Sequence, residues 1–269
     1  MPPTSVGWPE ALSAVASMAS RISSLIRSLP DPDPPALGVW SKGQLAAHIT
    51  HVYEVDLDLL NEVPPPLDDL ADLGELTQQK VRDESVSDPP ALADRVERAA
   101  AAFLSTARGM TGNEPRLWVG GVKVTATALA CHILNESVIH GFDLAGARWK
   151  IEQREARLAF EGFICPMYRS LGRPEFAVHP VKAAGVRATY DIRIRGGGRW
   201  FLVFDNGGLV IEEPSDRPVD CHLSADPRAI MMLAWHRTGL AGPVLKLQVL
   251  PWGRRPWLAF RLPGLLKLP

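Results

Sequence analysis

VTATALACHILNESVIHGFDLA, residues 124–145, reads as one apolar helix on which His132, Glu136, His140 and Asp143 follow at spacings of four, four and three. At about 100° of turn per residue, these spacings stack the four groups on one stripe. Ala128, Leu129, Ile133, Val138, Ile139 and Leu144 occupy much of the remaining surface, so little of it is ordinary solvent face. The ionisable groups therefore point inward or into a cleft, where charge is costly unless it is paired or bound to a metal.

Three further helices lie upstream. Leu12, Val15, Met18, Ile22, Leu25 and Leu29 recur at helical intervals from about Pro9 to Leu29, and PDPDPP, residues 30–35, ends that run. Ser41 and Gln44 have capping-box spacing and open a helix to about Asn61, with Leu45, Ile49, Val52 and Leu59 on its buried face. His48 falls about 40° from the centre of that face and His51 about 100° from it. His48 is thus the inward histidine, and His51 sits at the rim. Asp56 also turns inward, as a partner to a ligand or as a groove residue. Pro64–Pro66 break this helix, and Asp68–Glu84 carries too few apolar residues to be more than a long loop with a short helix. Asp88 and Pro89 resemble an N-cap with proline at N1, starting a helix that Gly109 and Gly112 end. Four long helices in the first 146 residues predict an all-α four-helix bundle over residues 1–150.

The period then changes. After a helix over roughly Gln153–Ser170, Val186–Arg195 alternates strictly. Val186, Ala188, Tyr190, Ile192 and Ile194 lie on one face, with Arg187, Thr189, Asp191, Arg193 and Arg195 on a wet one. Gly196–Gly198 and Asn206–Gly208 turn the chain into RWFLVFD and LVIEE, an antiparallel meander. Val219–Ser224 makes another strand, and Asp226–Pro227 opens a helix closed by Gly239. Residues 151–269 therefore read as an α+β domain with an antiparallel sheet.

A length of 269 residues accommodates roughly two domains. With 29 basic and 30 acidic residues, nothing global attracts nucleic acid or an anionic membrane. The opening MPPTSVGWPEALSAV lacks a basic n-region followed by a continuous apolar core, and no apolar run approaches the roughly 18 residues of a membrane helix. A cytoplasmic monomer is expected. Cys131, Cys165 and Cys221 lack CxxC spacing, which argues against disulfides or a cysteine zinc site.

Chemistry follows if the two inward stripes meet. A catalytic zinc keeps three protein ligands and one open position, with nitrogen and oxygen donors at about 2.0–2.2 Å. Glu136 and His140, one turn apart, can converge on one ion with His48 from a facing helix; His132 is a fourth candidate. HExxH, ExxH, GxGxxG and a Walker loop are all absent from the sequence.

WSKGQLAAH, Trp40–His48, resembles the tryptophan-to-histidine segment that closes with a metal ligand in mycothiol-dependent maleylpyruvate isomerases, members of the wider DinB-like helical-bundle group. ESVIHGFDLA, Glu136–Ala145, is similar to the same family's E-x-x-x-H-x-x-D-L-A segment. SADPRAIMMLAW, Ser224–Trp235, resembles its C-terminal module of sterol-carrier-like fold. The resemblance implies a Zn2+ (or other divalent metal) site with His48, Glu136 and His140 as ligands, Asp143 orienting a ligand or the helix end, and mycothiol as cosubstrate. It leaves His51 and His132 as additional candidates and the substrate open.

Three function classes remain. The first is a zinc-dependent isomerase or thiol transferase acting on a small electrophile, whose carboxylate Arg228, Arg237, Arg254 or Arg255 would hold by paired donors. The second is a sterol or lipid carrier, suggested by Met231, Met232, Leu233 and Trp235 beside the apolar tail. The third is a non-catalytic metal-binding interaction protein.

Overall fold

In the computed structural model, which describes residues 6–85, 88–171 and 178–267, the chain divides into two compact units, Met1–Ile151 and Glu152–Pro269. Five helices build the first: α1 (Trp8–Arg27), α2 (Lys42–Leu60), α3 (Leu73–Asp83), α4 (Pro89–Ala107) and α5 (Ala126–Ala145). α1 and α2 each pack against both α4 and α5, so the bundle runs α1, α4, α2, α5 around its axis. The buried stripe of α1 is Ala11, Val15, Met18, Ile22 and Ile26; Leu12 and Leu25, placed in that stripe from sequence, are half-buried at its border.

Helix ends follow local chemistry. The Ser41 hydroxyl accepts from Gln44 N and the Gln44 side chain accepts from Ser41 N, completing the capping box of α2. Asp88 caps α4 by accepting from Ala91 N, with Pro89 inside the first turn. Two expectations need correction. The segment read as a long loop with a short helix is mostly helical: Asp69 caps a 3-10 turn over Leu70–Asp72 that leads into α3. Only Val81 of α3 is buried, which is why the apolar pattern was too weak to announce its length. The decisive stretch also starts with a strand: Lys123–Thr125 pairs with Pro115–Leu117, and the Thr125 hydroxyl caps α5.

In the second unit α6 (Gln153–Ala159) and α7 (Cys165–Leu171) are joined by a π-helical turn over Phe160–Ile164. The sheet strands are β1 (Arg187–Ile194), β2 (Arg199–Asp205), β3 (Gly208–Glu212), β4 (Cys221–Ala225) and β5 (Val249–Trp252), with α8 (Pro227–Ala234) between the last two. Their order is β3-β2-β1-β4-β5. β1, β2 and β3 form the expected meander, but β4 lies parallel to β1, so the sheet is mixed rather than antiparallel. The chain leaves β3 at one edge and returns along the free side of β1, which makes β1 central. On the face expected to be wet, Thr189 and Asp191 are buried, while Arg187, Arg193 and Arg195 remain exposed. Cys131, Cys165 and Cys221 are buried, and none is in a disulfide among the described residues. Among the described residues, no helix is long and apolar enough to cross a membrane.

Candidate metal centre

α2 and α5 face each other in the bundle, and their contact brings one histidine from the first to two ligand-type residues of the second. His48 Nε2 lies 3.3 Å from Glu136 Oε2, and His140 Nε2 lies 3.2 Å from the same oxygen. One ligand atom from each of the three residues falls within 4.8 Å of the other two. Charge-assisted hydrogen bonds are shorter, about 2.7–2.9 Å. The observed separations instead match the edge, about 3.4 Å, of a tetrahedron with bonds of about 2.1 Å. Two imidazoles and a carboxylate with that spacing fit a divalent cation.

The surrounding contacts orient each group. The Trp40 ring packs against His48 with centroids 5.1 Å apart, giving a physical role to the tryptophan that precedes the α2 cap. The rings of His48 and His140 meet edge-on at 5.0 Å. His140 Nδ1 is 2.9 Å from Asp143 Oδ2, one turn on, a contact that fixes which nitrogen is presented inward. Beyond the three, His132 Nδ1 lies 2.7 Å from Asp56 Oδ2, and the Trp118 ring stands edge-on to His132 at 5.2 Å.

Electrostatics follow from burial and these contacts. Burial pushes the His48 imidazole below its ordinary value, only partly offset by Glu136. Burial opposes ionisation of Glu136, but the His140 and His48 contacts overcome it and hold the carboxyl well below the usual range. Burial also opposes the charge on His140, and Asp143 and Glu136 overcome it, raising this imidazole to about 8. Burial raises the Asp56 carboxyl despite His132.

His51 stands outside the cluster. Its side chain is as covered as that of His48, 15% against 14% exposed, because Glu84 reaches it at 2.8 Å and Arg95 ties that carboxylate to Glu54 on α2. It faces this ion-pair network rather than the three clustered groups. In the second unit, Arg228 pairs with Asp226, and Arg254 and Arg255 both approach Asp220. Arg237 donates to the Trp235 carbonyl at 2.8 Å. Arg228, Arg254 and Arg255, considered for a substrate carboxylate, thus already face acids of their own unit.

Two features beside the site were not expected from the sequence. Asn135 donates to Glu136 Oε1 at 2.9 Å. Gly141, next to His140, lets the Trp149 indole lie on α5, where its N–H donates to the Val138 carbonyl; a Cβ at Gly141 would come within 2.3 Å of that ring. A glycine inside an otherwise strong apolar helix was the available signal for this close approach.

Comparison with known proteins bears on both units. Residues 15–145 match the family model for the mycothiol maleylpyruvate isomerase N-terminal domain, and residues 177–242 match that of the SCP-2 sterol transfer family. The chain is similar to a crystal structure of the mycothiol-dependent maleylpyruvate isomerase at 17% identity. The superposition covers 87% of this chain and 90% of that one, with a TM-score of 0.53. A histidine-to-alanine mutant of that isomerase aligns over the same shares at 17% identity, with a TM-score of 0.54. At this identity the likeness carries the fold alone. No curated protein matches the sequence.

Proposed function

The chain joins a mycothiol maleylpyruvate isomerase N-terminal domain to an SCP-2 sterol transfer family domain, and from that premise we propose a zinc-dependent enzyme that uses mycothiol to isomerise or conjugate a small, carboxylate-bearing electrophile. The observation that carries this reading is the convergence of His48 and His140 on one oxygen of Glu136 at 3.3 and 3.2 Å. A divalent cation held there would stabilise the anion of a thiol near neutral pH. Three protein ligands leave a fourth position for a small molecule.

The chain's own residues supply orientation and dryness. Asp143 holds Nδ1 of His140, and Trp40 covers one side of His48. Glu136 and His140 are buried, which weakens competition from water. In an isomerisation, the thiol sulfur adds to a conjugated double bond, the resulting single bond rotates, and the thiol leaves with the double bond restored. In a conjugation the adduct is the product.

The test combines metal analysis with a thiol screen. The purified protein should hold about one divalent metal per chain, and mycothiol should raise its melting temperature, since a ligand of the native state stabilises by mass action. Mycothiol added to the cobalt form should produce near-ultraviolet charge-transfer absorbance; Glu136→Ala should show none. A carrier is the second reading, favoured by the SCP-2 match. It predicts saturable binding of a sterol or acyl chain by the metal-free protein, with the cobalt spectrum silent to every thiol.

A further inference from the structure

The two oxygens of Glu136 stand in different surroundings. Oε2 faces His48 and His140. Oε1 accepts from Asn135 Nδ2 at 2.9 Å and has His132 Nε2 at 3.7 Å. His132 is held at its other nitrogen, Nδ1, by Asp56 Oδ2 at 2.7 Å, and Trp118 stands edge-on to its ring. Asp56 is fully buried, and its second oxygen, Oδ1, has no hydrogen-bond partner. A buried carboxylate with an unsatisfied oxygen costs stability. α2 nevertheless carries it two turns beyond His48, aimed at α5.

We infer that Asp56, His132 and Asn135 are positioning residues that hold Oε1 of Glu136 away from the cation, so that Glu136 binds through Oε2 alone. The inference rests on the metal-site reading above and specifies it further. A carboxylate ligand is free to rotate about its terminal bond and offer both oxygens. Here the Asn135 amide occupies Oε1 on one side, and the His132 ring, fixed by Asp56, stands behind it. One-oxygen binding keeps the protein ligand count at three and leaves the fourth position open to a thiol. The device is of the kind in which groups behind the ligands set ligand geometry, applied here to the carboxylate rather than to a histidine.

The test uses full-length protein stripped of metal and then titrated with zinc against a chromophoric chelator, or loaded with cobalt. His132→Phe keeps an aromatic ring at this position and removes both nitrogens. Asp56→Leu removes the acceptor, and Asp56→Asn retains an oxygen for His132 Nδ1. We expect His132→Phe and Asp56→Leu to weaken zinc binding by about 10- to 100-fold, with Asp56→Asn recovering part of the loss. The cobalt form of His132→Phe should show weaker visible absorbance, as expected when the second oxygen of Glu136 joins the coordination shell. Melting of the metal-free variants separates folding from binding, and Asn135→Ala provides an independent arm if Asp56→Leu does not fold. Wild type that binds zinc tightly, with His132→Phe and Asn135→Ala binding within about threefold of it and unchanged cobalt spectra, would overturn the clamp while leaving the metal site intact. Wild type that binds no metal would overturn the metal site itself.

Discussion

Each unit buries a carboxylate among nitrogen donors, Glu136 in the bundle and Asp191 in the sheet, and the two are satisfied differently. Asp191 has no exposed side-chain surface and takes Arg199 at 2.7 and 3.0 Å, Arg193 at 2.9 Å and His222 at 2.6 Å. The His222 ring stacks on Trp252, and the Arg193 guanidinium also lies over that indole. Both oxygens are used at hydrogen-bond length, so this carboxylate is a finished knot tying β1, β2 and β4. Glu136 has two imidazoles at 3.2–3.3 Å on one oxygen, spaced as ligands to a common centre rather than as close donors. Burial and a cluster of ionisable groups do not by themselves mark a site. What separates the two places is whether the partners close on the carboxylate or leave room between them for an ion.

The comparison breaks most clearly in metal content. Alanine at His48, Glu136 or His140 should take the protein from about one metal per chain to nearly none by elemental analysis, while Asp191→Ala should leave metal content unchanged. Full occupancy in all three bundle variants would erase the distinction.

A converse test concerns stability. Asp191→Asn leaves three donor side chains around a neutral amide and should cost on the order of 2–3 kcal/mol in denaturant unfolding, allowing for the half-exposed arginines. Burial alone would raise the Asp191 carboxyl, but Arg199, Arg193 and His222 hold it down at about 2, against the ordinary 3.8 of an aspartate. A depressed folded-state value contributes stability above the unfolded-state value and loses it as pH falls through the folded one. The gap between wild type and Asp191→Asn should therefore be full above about pH 4 and shrink toward pH 2. A gap that widened on acidification would contradict the assignment.

Gly141→Ala sharpens the bundle side. Its methyl group would press on the Trp149 ring beside His140, so melting should report a loss of about 1–3 kcal/mol, typical of overpacking. If the variant is as stable as wild type, the indole is not seated as described. The smallest effect is expected at His51. Removing its contact with Glu84 should cost about 1 kcal/mol and leave metal content unchanged. Metal loss in His51→Ala alone would move the ligand one turn along α2.

Much of this site was legible before folding because helical geometry is local. Spacings of four, four and three put His132, Glu136, His140 and Asp143 on one stripe whatever packs against it, and the Ser41–Gln44 pair fixed the start of the helix that presents His48. The extent of α3 escaped because only one of its eleven residues is buried, leaving almost no apolar period to read. The direction of β4 escaped because alternation gives a strand its two faces but says nothing about its neighbour. In consequence, the wet-face residue Asp191 became a buried one.

By itself, then, the sequence determined two halves with different periods, the caps that start α2 and α4, and a stripe of ionisable groups that had to be accounted for. Only the tertiary structure decided which groups on that stripe share an oxygen and which stand behind it, and which arginines are already answered by nearby acids. Spacing sets direction along one element, whereas ligand-scale distances between elements depend on packing at a precision of tenths of an ångström. Packing at that precision is a property of side chains brought together from α2 and α5, eighty-eight residues apart at His48 and Glu136.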